Sequence, residues 1–332
     1  MKRIAFLGSG AWASALANVL AENGHDVILY GIAEQEIEDI EKRHQNTRYF
    51  STHKLHLNVH ATMDMQRALQ ESDYVVVAVP SSAVRSVLQK AIPYLKHAPF
   101  ILNVTKGFDA ESEMTMIALI RSILPADCYR GLASLVGPSF ASEVLHHQYT
   151  AIASVSQILE DAQEIQQLFS NQYFRVYTNT DEIGCSLAVS LKNVYAIASG
   201  ILYGLGCFDN PHGALLTRAL AEISRFVVAM GGQASTCLGL TGVGDLTLTC
   251  SSHQSRNFAA GEVIGKANSA KEFLKNNRTT VEGIPACKIA YGLSKKKGIY
   301  TPILDAVYRV LFEDESPKNE IEKMMVSPLK SE

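Results

Sequence analysis

Residues 2–30, KRIAFLGSGAWASALANVLAENGHDVILY, decide the fold. Residues 2–8 are an apolar run of the kind that suits a strand covered on both faces of its sheet. Gly8-Ser9-Gly10-Ala11-Trp12-Ala13 follows, then a helical pattern over 14–23, Gly24, and a second strand over 26–30. Strand, G-x-G-x-x-A, helix, strand is the context that gives the glycine motif meaning. Gly8 permits the tight turn, Gly10 lets the backbone approach a pyrophosphate, and Ala13 keeps the helix close to the sheet. The helix N-terminus then faces the phosphates, so this unit predicts dinucleotide binding.

The alternation continues outward. Residues 73–80, DYVVVAVP, and 99–105, PFILNVT, read as buried strands, and further strands are expected at 133–136, 150–155 and 174–177. Helical patterns lie between them at 82–90, 112–122 and 157–169. Residues 1–180 therefore predict a doubly wound α/β domain of the Rossmann type, an N-terminal dinucleotide-binding domain. Ligands of such sheets bind beyond the carboxyl ends of the strands. Val79-Pro80-Ser81, Thr105-Lys106-Gly107 and Gly137-Pro138-Ser139 fall at such ends, although their Gly and Pro content also suits plain turns.

Past residue 180 the strand signals fade, and 181–332 predict an all-α C-terminal domain. Its central stretch is 183–205, IGCSLAVSLKNVYAIASGILYGL, with Lys192 and Asn193 in the middle. Thr180-Asp181-Glu182 supply a helix cap and first-turn acids. A helix this apolar all round is buried, and an ammonium inside it needs a partner or a task. A membrane span is one reading, but a central lysine costs on the order of 2.5–3.5 kcal/mol there. A snorkelling lysine, a structural ion pair and a catalytic lysine in a cleft remain alternatives that helical direction does not separate. Further helices are expected at 214–230, 258–266, 283–293 and 302–312, the last capped by Thr301. The charged tail after Ser316 reads as loosely ordered.

Composition narrows the function classes. The chain has 332 residues, 47% hydrophobic and 19% charged, with a formal net charge of −3. That composition is ordinary for a soluble globular enzyme and gives no electrostatic reason to expect nucleic acid or an anionic membrane. The six cysteines are scattered without C-x-x-C spacing, which argues against a zinc site and a secreted disulfide framework. The N-terminus enters a strand with no leader-like apolar region, so the cytoplasm is expected. His53, His56 and His60 lie in a polar connection without a carboxylate or cysteine cluster and read as surface residues rather than metal ligands.

Two polar knots interrupt the helical half. Asp245 follows the glycine-rich Thr241-Gly242-Val243-Gly244, and could equally cap a turn. Ser255, Arg256 and Asn257 sit at a helix start, where free N–H groups favour an anion, although an N-cap with solvated neighbours reads the same way. A dinucleotide domain, a helical domain, one lysine in an apolar helix and no metal set point together to metal-free hydride transfer. Reduction of a ketone needs a group to protonate the developing alkoxide. A lysine suits that task when desolvation pulls its pKa toward neutrality.

These residues carry a resemblance. GSGAWA (8–13), NVTKG (103–107), VGPSFA (136–141), LKNV (191–194), TGVGDLTLTC (241–250), HQSRN (253–257) and VEG (281–283) occur in the order and spacing of bacterial-type NAD(P)-dependent sn-glycerol-3-phosphate dehydrogenases. The chain resembles that family over nearly its whole length. The resemblance implies reversible reduction of dihydroxyacetone phosphate to sn-glycerol 3-phosphate, the precursor of glycerophospholipids. It implies that Lys192 is the proton donor and acceptor, with Lys106 and Asp245 in the catalytic set. Lys106, Gly137, Ser139, Lys192, Asp245, Ser255, Arg256 and Asn257 would line the substrate site. Gly8, Gly10, Ala11, Trp12, Ala13, Ile32, Lys106, Ala141, Arg256 and Glu282 would touch the cofactor, and no metal is implied. Lys106 and Arg256 supply positive charge for a phosphate, and Asp245 can hold Lys192.

Ala11, Ala13 and Ser139 stand where the family often has serine, glycine and threonine. Ile32-Ala33 stands where a histidine, arginine or acid often lies near the adenine ribose. Glu34 comes slightly late, no carboxylate is expected to repel a 2′-phosphate, and Lys42, Arg43 or Arg48 could reach one. NADPH and NADH are therefore both expected, with a lean to NADPH from the biosynthetic role. A 3-hydroxyacid or ketopantoate reductase is the alternative of the same architecture, and a homodimer is expected by analogy.

Overall fold

A computed structural model describes residues 1–207, 209–326 and 328. The chain divides into two compact units, Met1–Glu182 and Ile183–Glu332. In the first unit the strands are β1 (Arg3–Leu7), β2 (Asp26–Tyr30), β3 (Val59–Thr62), β4 (Tyr74–Val77), β5 (Phe100–Asn103), β6 (Gly131–Val136), β7 (Thr150–Val155) and β8 (Phe174–Asn179). Its helices are α1 (Ala11–Glu22), α2 (Glu34–Arg43), α3 (Met65–Leu69), α4 (Ser81–Ala91), α5 (Met116–Ile123), α6 (Ala141–Leu145) and α7 (Leu159–Phe169). The strands form one sheet in the order β3-β2-β1-β4-β5-β6-β7-β8.

Both faces of the sheet are covered, and β1 shows how. Ile4 and Phe6 pack with α1, α2 and α7 on one face, while Ala5 and Leu7 pack with α4 and α5 on the other. Side chains of a strand alternate between faces, so a strand buried on both sides needs the continuous apolar run that 3–7 supplies. Two features differ from the sequence expectation. The stretch holding His53, His56 and His60, read as a polar connection, runs into β3, where His60 is paired in register with Ile28. β6 and β7 run antiparallel, which breaks the parallel series. An antiparallel neighbour needs no full crossover helix, and the short α6 suffices between them.

The second unit contains α8 (Glu182–Gly204), α9 (Asp209–Ala229), α10 (Asp245–Cys250), α11 (Arg256–Ala267), α12 (Lys271–Asn276), α13 (Gly283–Lys297), α14 (Pro302–Phe312) and α15 (Pro317–Met325). Helix α8 is long and apolar enough to cross a membrane by length and composition, and 89% of its most apolar window is buried within the protein. It crosses α11 glycine on glycine. A Cβ at Gly200 would stand 2.0 Å from the Phe258 carbonyl oxygen, and one at Gly261 would stand 2.1 Å from that of Ile197. Gly204 and Gly265 repeat the arrangement one turn on, at 2.3 Å from Glu262 O and Ile201 O. Gly261→Ala is expected to destabilise the protein by about 1–3 kcal/mol, the usual cost of forcing atoms into a packed core. Gly213→Ala on α9, where a Cβ meets nothing within 4 Å, is the control and should be neutral or gain up to about 1 kcal/mol of helix propensity. Equal melting temperatures for the two variants would refute the close crossing.

Two further sequence readings are corrected here. Residues 317–325 of the tail are not loose: they form α15, capped by Ser316, and its Glu320 is 2% exposed and ion-paired with Arg309. Positions 327 and 329–332 of that stretch lie outside the described residues. Thr301 does not cap α14 through its side chain. The cap comes instead from Glu222 on α9, which accepts from the backbone N–H groups of Ile303 (2.7 Å) and Leu304 (3.2 Å) and from the Tyr195 hydroxyl (3.1 Å). Burial pushes the Glu222 carboxyl up to about 7, against the pull of those donors and of Arg225. A raised carboxyl pKa means that the folded chain keeps a proton that the unfolded chain sheds. Its contribution is therefore present below the ordinary carboxylate pKa and is lost as pH rises to about 7. Glu222→Gln is expected to remove a loss of stability between pH 5 and 8 on the order of 3 kcal/mol. Parallel melting curves against pH for the two proteins would show that Glu222 does not titrate in that range.

Candidate active site

In the first unit the site residues gather at the carboxyl ends of β1, β4, β5 and β6. Gly8 has φ +123, and a Cβ there would stand 2.5 Å from the Ala78 carbonyl oxygen just after β4. Only glycine allows that turn and that approach. Gly10 is the N-cap of α1, with no side-chain cap and no acid in the first turn. A Cβ at Gly10 would meet nothing closer than the Tyr49 hydroxyl at 3.9 Å. The first-turn N–H groups of α1 lack partners within the helix, and the space beside Gly10 is open, as a pyrophosphate at a helix N-terminus requires. Ala13 is fully buried against the sheet, and the indole N–H of Trp12 has no partner among the described residues. These residues fit a dinucleotide.

The loop is braced from outside the motif. Asn46, 1% exposed, donates to the Ser9 carbonyl (2.8 Å) and the Ser14 hydroxyl (2.9 Å). The Ser9 hydroxyl donates to Glu36, whose carboxylate is buried in the first turn of α2. Gly31 is constrained by the same contact, since a Cβ there would stand 2.3 Å from Ser9 Oγ. Glu36 is thus a carboxylate against the glycine loop that the strand-end reading, which named only Glu34, did not include. Glu34 is exposed, but Glu36, two residues on, turns inward to the glycine loop. Ile32 stands 83% exposed just past β2.

After β5, the Asn103 side chain holds both the N–H and the carbonyl of Thr105, and the Thr105 hydroxyl reaches the Val79 carbonyl at 2.8 Å. That network presents Lys106, whose ammonium donates to the Gly137 carbonyl beyond β6 at 3.0 Å. Ser139 donates to the same carbonyl at 3.3 Å, and Ala141 opens α6. Lys106, Gly137 and Ser139, separated in sequence by some thirty positions, are one cluster.

In the second unit Lys192 is 6% exposed on α8. Its ammonium donates to Asp245 and, at 2.9 Å, to the Thr249 hydroxyl. Of the open readings for this lysine, snorkelling is therefore excluded. Asp245, 1% exposed, is delivered by a π-helical turn, Leu240–Gly244, where a glycine-rich loop was expected. The turn is tight because a Cβ at Gly242 would stand 2.1 Å from the Cys237 carbonyl oxygen. Thr249 sits one turn after Asp245 and donates back to its carbonyl at 2.6 Å. The neighbouring Cys250 thiol is pushed up to about 12 by burial, so it stays protonated and is no nucleophile.

Ser255 caps α11 by accepting from Phe258 N–H at 3.2 Å. Arg256 at the first helical position is exposed, whereas Asn257 is buried. The Asn257 side chain is committed to the protein, donating to Asn193 (2.9 Å) and accepting from Gly283 N–H (2.8 Å). What Asn257 offers an anion is its backbone N–H in the first helical turn. Glu282 directly precedes α13. Glu36, Asn46 and Thr249 were not singled out from the sequence. Only Thr249 carried a usable signal, being four residues past Asp245 on one helix face. Among the described residues no group of three or more His, Cys, Asp or Glu is placed to hold a metal.

Comparison with known proteins adds three findings. Residues 3–162 match the family model for the NAD-dependent glycerol-3-phosphate dehydrogenase N-terminus, and residues 181–322 match that for its C-terminus. A glycerol-3-phosphate dehydrogenase [NAD(P)+] of Enterococcus faecalis is 41% identical over 331 residues, covering 100% of this chain and 97% of the relative. The crystal structure of glycerol-3-phosphate dehydrogenase from Coxiella burnetii aligns with TM-score 0.90 at 32% identity, covering 98% of this chain and 99% of that one. A ketopantoate reductase from Ralstonia eutropha aligns with TM-score 0.54 at 18% identity over 97% of this chain and 99% of its own, a likeness of fold alone.

Proposed function

This chain belongs to the NAD-dependent glycerol-3-phosphate dehydrogenase family, and from that premise we propose how its own residues interconvert dihydroxyacetone phosphate and sn-glycerol 3-phosphate. The observation that carries the reading is a lysine buried in an apolar helix and held by Asp245 and Thr249. The reduced nicotinamide, when bound, supplies the hydride. Lys192 gives a proton to the carbonyl oxygen as negative charge develops there, and in the reverse direction takes the hydroxyl proton. Asp245 and Thr249 fix the position of Nζ, which pre-organises the transfer. Arg256, with the first-turn N–H groups of α11 and the Ser255 cap beside it, receives the substrate phosphate. Asn257 contributes its backbone N–H and positions Asn193.

For the first unit we assign Gly8, Gly10, Ala11, Trp12, Ala13, Ile32 and Ala141 to the cofactor, Gly137 and Ser139 to the substrate, and Lys106 to both. Arg256 and Glu282 of the second unit are likewise assigned to the cofactor. The product feeds glycerophospholipid synthesis. The cytoplasm is the proposed compartment, supported by six cysteines none of which forms a disulfide. A homodimer free of the membrane is proposed, supported by the burial of α8 and by exposed Val228, Leu238 and Val243 on the helical unit. The reading is tested by adding dihydroxyacetone phosphate to enzyme and NADPH. Loss of nicotinamide absorbance with formation of glycerol 3-phosphate is expected. Turnover with ketopantoate in its place would sink the substrate assignment.

A further inference from the structure

We propose that Arg48 recognises the 2′-phosphate of NADPH, a role that rests on the reading of the glycine loop as the dinucleotide site. The strand end itself offers no cation, since Gly31, Ile32 and Ala33 separate β2 from α2. Three basic residues follow. Lys42 and Arg43 lie in the last turn of α2, ion-paired with Glu38 (2.6 Å) and Asp39 (2.8 Å) on their own helix. At about 1.5 Å of rise per residue they stand roughly 12 Å along α2 from its start at the strand end. Arg48 is placed differently. The chain reverses at His44, which has φ 49, and Asn46 then ties the returning segment to Ser9 and Ser14 of the glycine loop.

That return sets two side chains against the loop. The Tyr49 hydroxyl lies 3.9 Å from where a Gly10 Cβ would stand, and the Arg48 guanidinium lies over the Tyr49 ring, 5.5 Å from its centroid. One guanidinium nitrogen is 3.4 Å from Glu36, whose other oxygen takes the Ser9 hydroxyl. Stacking and ion pairing restrict the side chain while leaving it 65% exposed. A guanidinium has five N–H donors in a fixed fork, so one contact with Glu36 leaves others for a phosphate. A 2′-phosphate is accommodated by an arginine near the end of the second strand, and Arg48 reaches that region by a route that sequence distance conceals. Glu36 holds the Arg48 guanidinium against the loop, and the Ser9 hydrogen bond and the Arg48 pairing offset part of its charge.

The test measures dissociation constants of NADPH, NADH and adenosine 2′,5′-bisphosphate for cofactor-free enzyme by titration calorimetry, so it does not rely on turnover. Arg48→Ala is expected to weaken NADPH and the bisphosphate about tenfold or more while leaving NADH unchanged, as loss of a charge-assisted contact predicts. Arg48→Lys, which keeps the charge but not the fork, should fall between. Equal weakening of NADPH and NADH, or none of either, would overturn the proposal. Wild-type enzyme that binds neither nucleotide would overturn it through the glycine-loop reading beneath it, which distinguishes the two failures.

Discussion

Lys192→Ala is expected to lower kcat by about 10²–10⁴-fold, the range of general acid–base help, with cofactor affinity unchanged. The lysine is buried, yet it is not an isolated charge, because Asp245 and Thr249 receive its N–H groups. A purely structural ion pair would also be buried and hydrogen-bonded, so burial alone does not decide the matter. The two readings part in what the alanine variant loses. Removing one member of a buried pair leaves the other uncompensated and costs about 3–5 kcal/mol of stability in either case. Only the catalytic reading predicts that correctly folded variant, at a temperature well below its melting point, turns over slowly while it still binds NADPH. Calorimetric affinity and single-turnover rates on one preparation separate the outcomes. A folded variant with near wild-type kcat would reduce Lys192 to a structural pair with Asp245.

The parts of this protein that could be read from sequence are those where local pattern and tertiary position coincide. The β1–α1–β2 segment declared itself because a doubly buried strand, a tight glycine turn and a helix start each leave a local mark within 2–30. β3 left only a weak one, since Val59-His60-Ala61-Thr62 alternates apolar and polar over just four residues, the shortest run that reads as a strand. Residues 317–325 of the tail were misread because Glu320, in a charged stretch, is buried against Arg309 of the preceding helix. The α14 cap was misplaced for a related reason: Thr301 has the right type and position, but Glu222 comes from 81 residues away. Such side-chain-to-backbone contacts have no sequence spacing to detect. Glu36 was missed because Glu34, the first acid after β2, drew the reading, whereas Glu34 is exposed and it is Glu36 that turns inward to Ser9.

The substrate anion gives the second large effect. Arg256→Ala is expected to lower kcat/KM for dihydroxyacetone phosphate by roughly a hundredfold, within the cost of removing one partner of a charged hydrogen-bonded contact. Dihydroxyacetone, which lacks the phosphate, should be affected little. The motive is geometric: Arg256 is exposed at the first position of α11, a twelve-residue helix with no acid in its first turn and Ser255 as its cap. The dipole and first-turn N–H groups of that helix act on the same anion as the guanidinium. The two contributions can be separated. Arg256→Lys keeps a cation but loses the planar fork that matches a phosphate, so it should recover only part of the loss. Raising ionic strength should weaken wild type and the lysine variant more than the alanine variant, because screening acts on the charge that alanine has already removed. A drop in kcat/KM that is equal for dihydroxyacetone phosphate and dihydroxyacetone would show that Arg256 does not meet the phosphate. It would leave the α11 N-terminus as the anion contact on that helix.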